Sequence, residues 1–162
     1  MRAENSTDKH NSRFMFQALA QAEKAYMLDE VPIGAVVVDP EGKVVAKAYN
    51  LVHKKKCQTE HAEMRAIKKA CKKIGDWRLD GYTMYVTLEP CAMCMGLITL
   101  CRLSKLVYGA DSPLFGYRLD KKIDPNVYKK NAIAIEKGLC AAEAISILRR
   151  FFKKKREENG KK

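Results

Sequence analysis

Apolar residues early in the chain recur at helical spacing: Phe16, Leu19, Ala20, Ala22, Tyr26 and Met27 form a stripe between Ser12, a candidate N-cap, and Asp29. Pro32-Ile33-Gly34 interrupts that period. The β-branched run Ile33 to Val38, the turn residues Asp39-Pro40-Glu41-Gly42 and the looser alternation from Lys43 to Asn50 read as a hairpin. A polar, basic loop, Leu51 to Gln58, leads to Thr59, which can cap a helix from about Glu60 to Ile74 that Gly75 stops. Met64, Ile67 and Cys71 are expected inward on it; Arg65, Lys68, Lys69, Lys72 and Lys73 form its solvent face. Thr83 to Leu88 alternates as a strand, and Pro90 suits the first position of a helix from Cys91 to Leu100. Lys105 to Gly109 reads as a strand, Ala110 to Lys130 as irregular, and Ala132 to Glu136 as a fifth strand. The last helix begins near Cys140, with Ala141, Ile145, Leu148 and Phe152 inward. This alternation of strands and helices predicts an α/β fold, a sheet covered on both faces and partly parallel through β-α-β crossovers.

No repeat or linker divides the 162 residues, so one domain is expected over 13–152. A flexible tail, 1–12, precedes it, and a basic tail, 153–162, continues the last helix. The longest apolar run, Cys91 to Cys101, has 11 residues, where crossing a bilayer takes roughly 20. Met1 to Ser12 is polar and carries no hydrophobic signal-peptide core, so a cytoplasmic location without membrane association is expected. There the six cysteines are expected to be free or metal-bound. A net charge of +12 points to a polyanionic partner, and residues 149–162 alone carry eight basic and two acidic side chains.

Candidate chemistry is concentrated in His61-Ala62-Glu63 and Pro90-Cys91-Ala92-Met93-Cys94. Cys91 and Cys94, three apart at the start of a helix, can turn both sulfurs to one ion, and the helix dipole favours their thiolates. A thiol redox centre would use the same pair. With His61 at the start of another helix they make three ligands, leaving a fourth zinc position for water, as in catalytic sites. Cys57, His53 or Cys101 would have to close the site for it to be structural. Glu63, two residues after His61, points elsewhere on its helix and suits a proton carrier beside the ion.

These two segments form the H-x-E…P-C-x-x-C signature of the zinc-dependent nucleobase deaminases. With Val31 to Val36, Thr59 to Ala66, Tyr85 to Pro90 and the Phe151-Phe152 helix, the chain from Arg13 to Arg156 resembles the bacterial tRNA-specific adenosine deaminases. The resemblance implies a three-layer α/β/α cytidine-deaminase-like fold around a five-stranded mixed sheet, a homodimer, and conversion of adenosine to inosine in a tRNA anticodon stem-loop. It implies one Zn2+ on His61, Cys91 and Cys94, proton shuttling by Glu63, and no organic cofactor. It places Asn50, Asp111, Arg149, Phe151 and Lys153 at the substrate. Three stretches depart from the family: Glu60 before His61, the loop Ser112 to Tyr117, and Lys130-Asn131 before the fifth strand. They keep open a free base or nucleoside as substrate (guanine, cytosine or cytidine). A non-catalytic zinc or redox module that binds RNA is the more distant reading.

Overall fold

The computed structural model describes residues 6–119 and 132–160. Its five strands are β1 (Gly34–Val38), β2 (Val44–Tyr49), β3 (Thr83–Leu88), β4 (Lys105–Ala110) and β5 (Ala134–Lys137). They form one sheet in the order β2-β1-β3-β4-β5. β1 pairs antiparallel with both β2 and β3, while β3, β4 and β5 run parallel. The helices are α1 (Ser6–Met27), the single turn α2 (Val52–Lys55), α3 (Ala62–Ile74), α4 (Ala92–Leu100) and α5 (Ala141–Asn159). This is the cytidine-deaminase-like α/β architecture with a mixed five-stranded sheet that the family resemblance led us to expect.

Residue parity along the strands decides the layers. Ala35 and Val37 of β1, Met84 and Val86 of β3, and Leu106 and Tyr108 of β4 face one core with Ala66, Ile67 and Ala70 of α3 and Met95 and Ile98 of α4. Val36, Val38, Tyr85 and Val107, their in-between neighbours, face a second core with Phe14, Ala18 and Ala22 of α1 and Ala144 and Ile147 of α5. Each fully buried Met or Ile contributes about 1.5–3 kcal/mol. β3 is hidden on both sides, so its middle four residues are all buried.

The structure moves several boundaries. α1 starts at Ser6, so Ser12 lies inside it and does not cap it. Its buried stripe is Phe14, Met15, Ala18, Leu19, Ala22 and Ala25, while Phe16 and Met27 are exposed, Met27 at 79%. The helix is turned so that its small residues meet Gly34. Residues 58–60 form a 3-10 turn, so His61 and not Thr59 sits at the N-cap of α3. Cys91 takes the N-cap of α4, leaving Pro90 one residue outside the helix. Gly75 closes α3 in the left-handed conformation, its N–H bonded to the Cys71 carbonyl. On α5 the buried residues are Ala144, Ile147 and Phe151, and Ile145 packs partly buried against the same core as expected; Phe152 is exposed because it lies one position off that face. The fifth strand begins two residues later than its pattern suggested. Residues 1–5, 120–131 and 161–162, with the Lys130-Asn131 departure, lie outside the described residues.

At the C-terminal ends of α3 and α4, Trp77 is 56% exposed, with the guanidinium carbons of Arg78 and Arg102 at 5.8 and 5.2 Å from its ring centre. Among the described residues no helix is long and apolar enough to cross a membrane.

Candidate active site

The N-termini of α3 and α4 meet, and this brings His61, Cys91 and Cys94 together. His61 Nδ1 lies 3.8 Å from Cys91 Sγ and 3.5 Å from Cys94 Sγ, and the three atoms lie within 4.8 Å of one another. An ion bonded at about 2.1 Å to nitrogen and 2.3 Å to sulfur in a tetrahedron sets N···S edges of about 3.6 Å, so the donor set fits a metal such as zinc. Among the described residues no other group of His, Cys, Asp and Glu converges in this way. Cys57 is exposed, while Cys101 is buried at the opposite end of α4, so neither completes the cluster.

Electrostatics within the cluster are tightly coupled. The Cys94 thiol, followed by His61, stabilises the Cys91 thiolate and holds its pKa down to about 4 against burial. Cys94 is pushed far upward by its bond to that thiolate, by burial and by Glu63. His61 is held above its ordinary value by Cys91 first, then by Glu63, against desolvation. Two thiols cannot both ionise here unless a cation stands between them.

Glu63 is in the first turn of α3 and only 3% exposed. Burial is the main force raising its pKa. Its Oε2 is the one buried side-chain oxygen among the described residues with no hydrogen-bond partner in the protein. An orphaned carboxylate oxygen is costly unless something outside the chain is meant to meet it.

The wall beside His61 comes from the end of β2. Leu51 N–H donates to the Glu60 carbonyl, and Asn50, buried, donates its N–H to Ile33. The divergent Glu60 pairs at 3.0 Å with Arg65, which also donates to the Tyr49 carbonyl. The other expected substrate residues are scattered. The Asp111 carboxylate is 2.7 Å from Arg118, Phe151 is buried edge-on against Tyr26, and Arg149 and Lys153 are exposed on α5. Phe151 therefore seats α5 and is not presented to a ligand.

The divergent loop is tied down by a residue that sequence patterns did not single out. Glu89, buried just before Pro90-Cys91, accepts from Ser112 N–H, Arg118 N–H and both Arg118 Nε and Nη2. Gly116 passes so close that a Cβ there would lie 2.4 Å from the carboxylate. Tyr117 N–H bonds the Pro90 carbonyl at 2.9 Å. Burial alone would raise the Glu89 pKa, but the Arg118 and backbone donors outweigh it and hold it below its usual 4.5. A carboxylate with a lowered folded pKa adds stability above its unfolded value and loses it as pH falls through the folded one. We expect Arg118→Ala to cost about 2 kcal/mol at pH 7. The gap between the two proteins should close below pH 4.5, as read by denaturant titrations across pH; a gap independent of pH would refute the clamp.

A mixed sheet with helices on both faces and a His/Cys/Cys cluster beside a buried glutamate defines a deaminase. The family model of the MafB19-like deaminases matches residues 9–156. A tRNA-specific adenosine deaminase of Rickettsia bellii is 40% identical over 150 residues, covering 88% of this chain and all of that one. The Bacillus subtilis protein of that name is 48% identical over 103 residues, 64% of this chain and 63% of its own length. A structure solved in work on A-to-I editing by tRNA:A34 deaminases at the wobble position superposes with a TM-score of 0.75 at 37% identity. It covers 84% of this chain, which in turn spans 99% of it. The chain belongs to the tRNA-specific adenosine deaminase family.

Proposed function

We propose that the protein hydrolyses adenosine to inosine at the wobble position of a tRNA anticodon, with one zinc ion held by His61, Cys91 and Cys94. The observation that carries this reading is the partnerless Oε2 of Glu63, buried beside three ligands that leave a fourth position open. Zinc in that set supplies the Lewis acidity that lets water act as a nucleophile near neutral pH. Glu63 takes one proton of the attacking water and delivers it to N1 of the adenine, then carries the second, from the added hydroxyl, to the departing amine. Oxygen bonds to C6, the C6–N bond to the amino group breaks, and inosine and ammonia leave. Asn50 contacts the nucleotide from the adjoining wall. An anticodon loop offers its base unpaired, which keeps the cost of extruding it low.

Arg149 and Lys153 lie one turn apart on the exposed side of α5 and suit phosphates of the anticodon stem. Asp111, already bound to Arg118, would meet the RNA only at the pocket rim. A homodimer would cover the stripe Met93, Leu97 and Leu100, which α4 leaves exposed or half-buried. The setting for such an enzyme is the cytoplasm, with its tRNA.

The test is a competition: an anticodon stem-loop with adenosine at the wobble position against free adenosine, guanine, cytosine and cytidine, following ammonia and inosine. Inosine in the stem-loop alone supports the reading; turnover of a free base with none on the stem-loop replaces the substrate. Metal analysis should find one zinc per chain, lost in His61→Ala. Deleting residues 153–162 removes Lys153, and should weaken stem-loop binding and flatten its salt slope by roughly 0.7–0.9, the worth of one phosphate contact. An unchanged slope would remove the end of α5 beyond residue 152 from the RNA interface.

A further inference from the structure

Glu30 is a fully buried carboxylate, 0% exposed, that the chemistry above does not use. It follows α1 in a turn where Asp29 takes a left-handed φ of 61° and points its own carboxylate outward to Lys154. Glu30 points inward. Its Oε1 accepts the Lys54 N–H at 2.6 Å, and its Oε2 accepts the His53 N–H at 3.1 Å and Asn50 Nδ2 at 3.4 Å. The first two donors open α2, whose own N-cap residue, Leu51, makes no side-chain cap. One carboxylate from twenty residues earlier thus caps that turn and holds the Asn50 amide.

The third bond carries the most information. A primary amide can sit either way round, and an acceptor-only carboxylate selects the orientation with the NH2 group toward itself. Asn50 is then left with its carbonyl oxygen and its second N–H for whatever lies on the other side. The neighbouring Leu51 is bonded to Glu60, the residue before the ligand His61. Glu30, Asn50 and His61 therefore form one connected wall.

We propose that Glu30 is a positioning residue: it fixes the orientation of the Asn50 amide, and through it the seat of the nucleotide. This rests on the reading that Asn50 contacts the substrate. Glutamine at position 30 has a single acceptor oxygen: at the Oε2 place it turns its NH2 against the Lys54 N–H, and at the Oε1 place it turns it against His53 N–H and Asn50 Nδ2, so it cannot satisfy all three donors as the carboxylate does.

The experiment is a double-mutant cycle on the zinc-loaded protein, with Glu30→Gln, Asn50→Ala and the pair assayed on the stem-loop. Glu30→Gln should lower kcat/KM at least tenfold in the native background, mainly through KM, and less than twofold once Asn50 is alanine. Equal losses in both backgrounds, or no loss in the first, overturn the proposal. The side-chain amide resonances of Asn50 give a second readout that needs no activity: Glu30→Gln must shift them, and unchanged resonances also overturn it. If the native protein leaves the stem-loop untouched, the substrate assignment fails, while the Asn50 resonances still decide the role of Glu30. Glu30→Asp, which keeps the charge but withdraws it by one methylene, replaces the glutamine variant if that does not fold, with the same outcomes expected.

Discussion

Glu63→Gln is expected to lower turnover of the stem-loop by roughly 10²–10⁴-fold, the usual worth of a positioned general acid–base group. The substitution keeps volume and shape at a buried position, so the side chain still fits. It removes a charge that burial disfavours, and the fold should be no less stable for it. None of the three candidate ligands is touched, so metal content should stay at the native level. Single-turnover kinetics beside metal analysis separates the two effects. Activity within tenfold of native would show that Glu63 carries no proton in the reaction.

Gly34→Ala is expected to be the most damaging small substitution for the fold. A Cβ at Gly34 would lie 1.9 Å from the Ala18 carbonyl oxygen and 2.6 Å from the Ala22 nitrogen, both helix backbone. No side chain can swing away to relieve such contacts, so α1 would have to lift off β1 and open the core shared by Met15, Ala18, Val36 and Tyr85. The loss should reach about 3 kcal/mol or more, the upper part of the range for overpacking. For a chain of this size that is a fall in Tm of roughly 10 °C. A thermal transition within about 2 °C of native would mean that the helix is free to shift, contrary to the packing described.

Much of this was legible in advance because short-range patterns carry it. Alternation from Thr83 to Leu88 defined β3 to the residue. The cluster was readable because His61, Cys91 and Cys94 each stand at a predicted helix start, and starts gather at one edge of such a sheet. Features set by distant partners were not legible. The buried side of α1 depends on where Gly34 sits beneath it, and Phe16 and Met27, apolar and in register by spacing, face water. Glu30 and Glu89 look like any surface glutamate in the sequence. Their burial rests on donors 20 to 29 positions away, for which no local pattern exists. Thr59, a natural cap, spends its hydroxyl on Cys57 instead.

Trp77, the chain's only tryptophan, has an optical consequence. Its indole is more than half exposed in the native protein, and two guanidinium groups lie over its ring. Unfolding moves it from a largely wet surface into water, so its emission maximum will shift only a little when the sheet is lost. Intensity will change instead, as the two arginines drift from the ring. A melting curve built on emission wavelength would make Gly34→Ala look harmless, whereas far-ultraviolet circular dichroism, which reports the five helices and the sheet, would not.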